Sequence, residues 1–189
     1  MISKLLFLIG IVCLGLYGFV AVQAHYRQEQ LEAQLYHPLK AKVPKAGPAR
    51  GRHLNQGDLF GRLEVPRLDL SVMVMEGDAD SILRLGAGHI PGTPLAIAGH
   101  RDSFFRPLKD IKLNDTIRFT TPEGTVEYHV VSTKIVVPTD LSVISNQSAD
   151  TLTLVTCYPF YFVGSAPQRY IVQASLKNSE ENKNAKLAK

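Results

Sequence analysis

From Leu59 onward the apolar residues come in short β-type runs separated by turn residues, and that spacing limits what the chain can fold into. Strands are read near Leu59–Val65, Leu70–Met75, Leu95–Gly99, Thr116–Thr120, Thr125–Val130, Thr133–Val137, Thr151–Cys157 and Arg169–Leu176. Pro122-Glu123-Gly124 is a hairpin turn between the fourth and the fifth. Asp78–Leu85 opens on acidic residues and carries apolar Ile82 and Leu85, which suits one or two helical turns; Ser103–Leu108 is read as another. Short strands in this number with few helices make an all-β barrel or sandwich.

Residues 1–58 have a different character. Leu5–Ala24 (LLFLIGIVCLGLYGFVAVQA) is about 20 residues without a charge, which as a helix matches the roughly 30 Å hydrocarbon core of a bilayer. A cleaved signal peptide is the rival reading, because Val22-Gln23-Ala24 resembles a small-residue cleavage site, but the run exceeds the usual apolar core of about 7–15 residues. A retained anchor over residues 1–25 is expected, single-pass, with Lys4 and the α-amino group on the cytoplasmic side and the body of the protein outside. Residues 26–58, rich in Lys, Arg, Pro and Gly from Lys40 on, form a flexible basic linker, and residues 177–189 a disordered tail.

Charge follows the same division. The net charge of +4 arises outside the strand region: residues 25–62 hold seven Lys/Arg against three Asp/Glu, whereas residues 63–175 hold nine against twelve. A basic spacer beside a membrane accounts for this better than a nucleic-acid-binding face does, so no nucleic-acid partner is expected. The two cysteines, Cys13 in the apolar run and Cys157, form neither a CxxC pair nor a zinc cluster. No HExxH, Walker A or GxGxxG motif is present, and no metal or cofactor is expected.

Cys157 closes the run Thr151–Cys157, whose Leu152 and Leu154 belong in a core, so a buried structural thiol is the ordinary reading. Two other residues change its weight. His100 stands just past the apolar strand that ends in Ala98-Gly99, where Gly99 permits a sharp turn or a close approach and the histidine projects from a sheet rim. Arg169 opens the last strand twelve residues after Cys157, and a loop of that length can fold back to bring a guanidinium to the thiol. Of the other histidines only His89 has a comparable setting, in a Gly-rich turn.

Taken together, AGHRD at Ala98–Asp102, TLVTC at Thr153–Cys157 and Arg169 downstream resemble the sortase family, and TLVTCYP with APQRY resembles its class D branch. The likeness spans about Leu59–Leu176 and is extended by LRLGAGHIPGT, FFRPL and PTDLSVI. It implies an eight-stranded closed β-barrel over residues 59–176. It also implies Cys157 as nucleophile, His100 as proton donor and acceptor, Arg169 as oxyanion and substrate stabiliser, and Thr156, Ala98, Gly99 and Tyr158 as substrate contacts. Pro138–Asp150 would wall the groove on one side and Tyr158–Gln168 on the other. Only Pro94-Leu95 separates Gly92-Thr93 from Ala96-Ile97, where relatives carry a longer insertion, so the rim near His89 is expected to be more open.

The implied reaction is transpeptidation at the cell surface. An ordinary thiol ionises near pH 8.5, so only a few per cent is thiolate at pH 7 and a neighbouring cation raises that share. The thiolate attacks a threonine carbonyl in an LPXTG-like C-terminal sorting signal, and the thioacyl enzyme is resolved by an amine from a cell-wall precursor or another protein. A membrane-bound cysteine protease would use the same residues and deliver the acyl group to water. A non-catalytic surface binding module is the remaining alternative.

Overall fold

A computed structural model describes residues 54–145, 147–148, 150–162 and 164–177, with Phe7, Ile11, Leu14, Gly15, Tyr17–Phe19, Val22 and Gln23 nearer the N-terminus. The rest of the expected anchor, the linker up to residue 53 and the tail beyond Lys177 lie outside the described residues. Among the described residues no helix is long and apolar enough to cross a membrane.

Eight strands close into a barrel: β1 (Leu59–Val65), β2 (Leu70–Glu76), β3 (Ala87–His89), β4 (Ala96–Ala98), β5 (Thr116–Thr121), β6 (Gly124–Val136), β7 (Thr151–Tyr158) and β8 (Gln168–Leu176). Their order around the barrel is β1-β2-β3-β4-β7-β8-β6-β5. Closure leaves no unpaired sheet edge. Two neighbouring pairs, β2 with β3 and β4 with β7, are parallel. A parallel pair needs a crossover connection rather than a hairpin. The first crossover carries the helical turn Asp80–Leu83, and the second is filled by the β5–β6 hairpin, closed at Pro122-Glu123 with Thr121 opposite Gly124.

The strand count agrees with the expectation, but its members differ. The two expected runs, 125–130 and 133–137, belong to one strand, β6, which ends at Val136 and whose register shifts between Val130 and Ser132. The break in the sequence pattern is therefore a bulge, with Val131 turned outward. The missing eighth strand is β3, the Gly-rich turn of the sequence reading. His89 is buried there. Its ring stacks on Phe60 at 4.2 Å between centroids, Nδ1 lies 2.8 Å from Glu76 Oε2, and Nε2 lies 3.2 Å from the Thr93 carbonyl.

Alternation along the strands decides what fills the barrel. Leu63, Val65, Val72, Val74, Ile97, Leu152, Leu154 and Val172 point inward and are almost fully buried. Phe105, from the segment after β4, is also inside. Each such aliphatic side chain contributes about 1.5–3 kcal/mol through removal from water. Tyr128 is fully buried too, but among the described residues its hydroxyl has no hydrogen-bond partner, and burial with the nearby Asp150 charge pushes its ionisation well above the ordinary tyrosine value. Tyr128→Phe keeps the ring and removes the orphan hydroxyl. It should raise stability by up to about 2 kcal/mol, read as a higher denaturation midpoint with unchanged slope.

Candidate active site

The inward set on β7 is Leu152, Leu154 and Thr156, so a period of two turns Val155 and Cys157 outward. In the antiparallel β7–β8 ladder Val155 lies opposite Ile171 and Cys157 opposite Arg169. Directly opposed residues share a face, with Cβ atoms about 4.5–5.5 Å apart. On the flanking strands Ala98 of β4 pairs with Val155, and Val136 of β6 pairs with Arg169. These six residues form the floor of a groove of about 440 Å³ on the outside of the barrel.

Two connections wall it. The β6–β7 segment supplies Val137, Pro138, Asp140, Leu141, Val143 and Ile144; Asp78, Leu83 and Ile90 come from either side of β3. The β6–β7 wall is pinned twice. Asp140 accepts from the Ser142 amide at 3.2 Å at the start of the helical turn Ser142–Ser145, and Gln147 Nε2 donates to the Val143 carbonyl and to Thr153 Oγ1. The result is a mostly apolar trough with a few polar groups converging at one end, as ligand sites generally are.

Those polar groups are Cys157, His100 and Arg169. Cys157 is a free, half-buried thiol. His100 follows the last contact of β4 with β7, the Gly99 amide donating to the Val155 carbonyl at 3.1 Å. Its Nε2 lies 3.7 Å from Asp80 Oδ1, whose other oxygen accepts from Arg84 Nη2. Arg169 donates both Nη1 hydrogens to its own loop, to the carbonyls of Ala166 at 3.3 Å and Gln168 at 3.0 Å. That fixes the guanidinium plane and leaves Nη2 and Nε without a protein acceptor among the described residues. Among those residues no group of three or more His, Cys, Asp or Glu is placed to hold a metal ion.

A thiol opposite a guanidinium, with an imidazole on the same groove, is a set suited to acyl transfer. The family model described as a sortase domain matches residues 63–177. The chain belongs to the sortase family. Sortase D of Bacillus subtilis (strain 168) is 33% identical over 183 residues, covering 86% of this chain and 91% of that protein. A Clostridium perfringens sortase D5 transpeptidase is similar in structure, with a TM-score of 0.58 at 27% identity over 66% of this chain and 82% of the other. Sortase A of Listeria monocytogenes gives a TM-score of 0.57 at 26% identity, covering 63% and 87%. The protein is a class D-like sortase and thus a cysteine transpeptidase.

Of the residues expected in this sortase's site, Cys157, His100, Arg169, Thr156, Ala98 and Gly99 all line the groove. Thr156 does so from beneath: it is buried and donates its hydroxyl to the Gly99 carbonyl at 2.7 Å, locking the turn before His100 to the Cys157 strand. Tyr158 is not among the lining residues. Alternation places it on the Thr156 face, where it joins Phe160 and Tyr170 in an aromatic cluster with ring centroids 5.4–6.2 Å apart. Nor do the described residues of the 158–168 segment contribute to the groove surface.

Gly99 has its close approach to the ring of Phe105, since a Cβ at residue 99 would lie 2.7 Å from it. Phe105 is fully buried and has nowhere to retreat. Gly99→Ala should cost about 1–3 kcal/mol of stability by overpacking, read in chemical denaturation. An unchanged midpoint would show that the ring yields.

Asp78 and Asp80 were legible in the sequence only as the cap of a helical turn. Their nearness to the groove comes from β2, β3 and β4 lying side by side, which no local signal announces.

Proposed function

We propose that this sortase is anchored in the cell membrane by residues 1–25, spaced from it by residues 26–58, and that the barrel of residues 59–176, followed by a tail of residues 177–189, works on the outer side. There it cleaves an LPXTG-like C-terminal sorting signal through a thioacyl enzyme and transfers the carried protein to an amine. The anchor is supported by the positions described within it: Phe7, Ile11, Leu14, Tyr17 and Phe19 are helical and expose large apolar side chains. Such a surface suits lipid rather than water.

The observation that carries the site reading is the Cys157–Arg169 cross-strand pair on the groove floor, with His100 at the end of the neighbouring strand. Cys157 attacks the threonine carbonyl as a thiolate. The free Nη2 and Nε donors of Arg169 receive the oxyanion, which a planar guanidinium does at no cost in reorganisation. His100 gives its proton to the departing amine and takes one from the incoming amine. Apolar Leu141, Val143, Ile144 and Ile90 take up the side chains of an extended peptide.

The test is incubation of the protein with a panel of LPXTG-like peptides and a primary amine, products being read by mass spectrometry. The expected result is a Cys157 thioester and the peptide joined to the amine. Free acid as the sole product despite abundant amine would identify a protease, and the absence of both thioester and cleavage across the panel would overturn the enzyme reading.

A further inference from the structure

His100 is separated from its strand by Gly99, so the β4–β7 ladder ends before it; beyond the Thr156–Gly99 hydrogen bond, what holds the turn to the Cys157 side begins with the next residue. Arg101 reaches across to the loop between β7 and β8 and donates Nη2 to the Phe162 carbonyl at 2.6 Å and to the Gly164 carbonyl at 3.0 Å. Its guanidinium carbon lies 5.8 Å from the centre of the Phe162 ring, and that of Arg106, five residues on, lies 5.7 Å from the centre of the Tyr161 ring. One short segment thus grips one loop at two successive aromatic residues. Phe162 and Tyr161 remain exposed, so no core packing holds this part of the loop in place. Arg101 itself does not line the groove. Its Nη1 is buried and has no partner among the described residues, a costly arrangement for a charged side chain that served only as surface.

This loop joins Cys157 to Arg169. Where it sits governs the open end of the β7–β8 ladder, at which those residues form the penultimate pair, and governs the Ala166 carbonyl that accepts from Arg169 Nη1. We propose that Arg101 is a positioning residue that clasps the β7–β8 loop to the His100 turn, so that nucleophile, guanidinium and imidazole are held in one geometry. The proposal rests on the reading of the site given above. Charged donors on carbonyl acceptors are among the stronger hydrogen bonds, and a guanidinium can add ring stacking to them as an ammonium cannot.

The test compares Arg101→Ala and Arg101→Lys with the parent full-length chain in two measurements: steady-state cleavage of a sorting-signal peptide, and chymotryptic cutting after Tyr161 and Phe162. For Arg101→Ala, kcat should fall about tenfold or more through misplacement of the reacting groups, with KM for the peptide changed by less than about threefold. Cutting in the loop should be faster, and Arg101→Lys should fall between the two on both measures. A kcat within about twofold of the parent, a change confined to KM, or unchanged loop cutting would each overturn the proposal. If Arg101→Ala does not unfold cooperatively, Arg101→Lys decides by the same criteria. Should the parent show no turnover on any peptide, the functional reading fails, and loop cutting alone decides whether Arg101 is the clasp.

Discussion

Cys157→Ala is expected to fold like the parent and to form neither thioester nor transfer product. The side chain is half-buried at the end of β7 and packs on the outer face, so the change should alter stability by less than about 1 kcal/mol. Activity should fall by about 10⁴-fold or more, to background, because no other described side chain in the groove is a thiol or an amine able to carry the acyl group. Cys157→Ser separates nucleophilicity from shape, since a hydroxyl at the same site is far less ionised, and it should be nearly as inactive. The measurement is single-turnover cleavage with product mass spectrometry and parallel denaturation curves. Retained transfer by a folded Cys157→Ala protein would show that Cys157 is a structural thiol and that the acyl group is carried elsewhere.

Arg169→Ala should be the second most damaging change. Loss of a donor aimed at a developing oxyanion costs about 10²–10³ in kcat. Arg169→Lys should recover little of it. A lysine can occupy one of the loop carbonyls at Ala166 or Gln168, but it has no second nitrogen held in a fixed plane to face the substrate. If the lysine variant retains most of the parent kcat, position 169 supplies only a charge, and the geometric reading of the guanidinium is wrong. Both variants need a denaturation control, because Arg169 also ties down the end of its loop.

Much of this molecule is legible in its sequence. By residue type and by its run Cys157 reads as a buried thiol, and it is the strand's inward set of Leu152, Leu154 and Thr156 in the structure that turns it to the outer face. The hairpin at Pro122-Glu123-Gly124 and the helical turn within Asp78–Leu85 stand where local chemistry puts them. Strand β3 has no local signal, because Ala87-Gly88-His89 is short, carries no β-branched residue and is made a strand by its neighbours. The bulge at Val131 reads as a gap between strands, since an outward extra residue interrupts the alternation as a turn would. Tyr158, a substrate contact by resemblance alone, follows Cys157 on β7 and so faces the other way, into the cluster with Phe160 and Tyr170.

By itself the sequence determined what covalent connectivity and local periodicity can determine: an apolar N-terminal run, a β-rich body, and the three residue types that acyl transfer needs, each at the end of a strand. Only the tertiary structure decided that they share a groove. Cys157 and Arg169 meet because β7 and β8 pair in one register, and a slip of one residue would put them on opposite faces. His100 joins them because β4 lies parallel to β7, a long-range choice set by closure of the whole barrel. Arg101 reaches the β7–β8 loop for the same reason: residues some sixty positions apart become neighbours only when nonlocal burial outweighs the entropy of closing the chain between them.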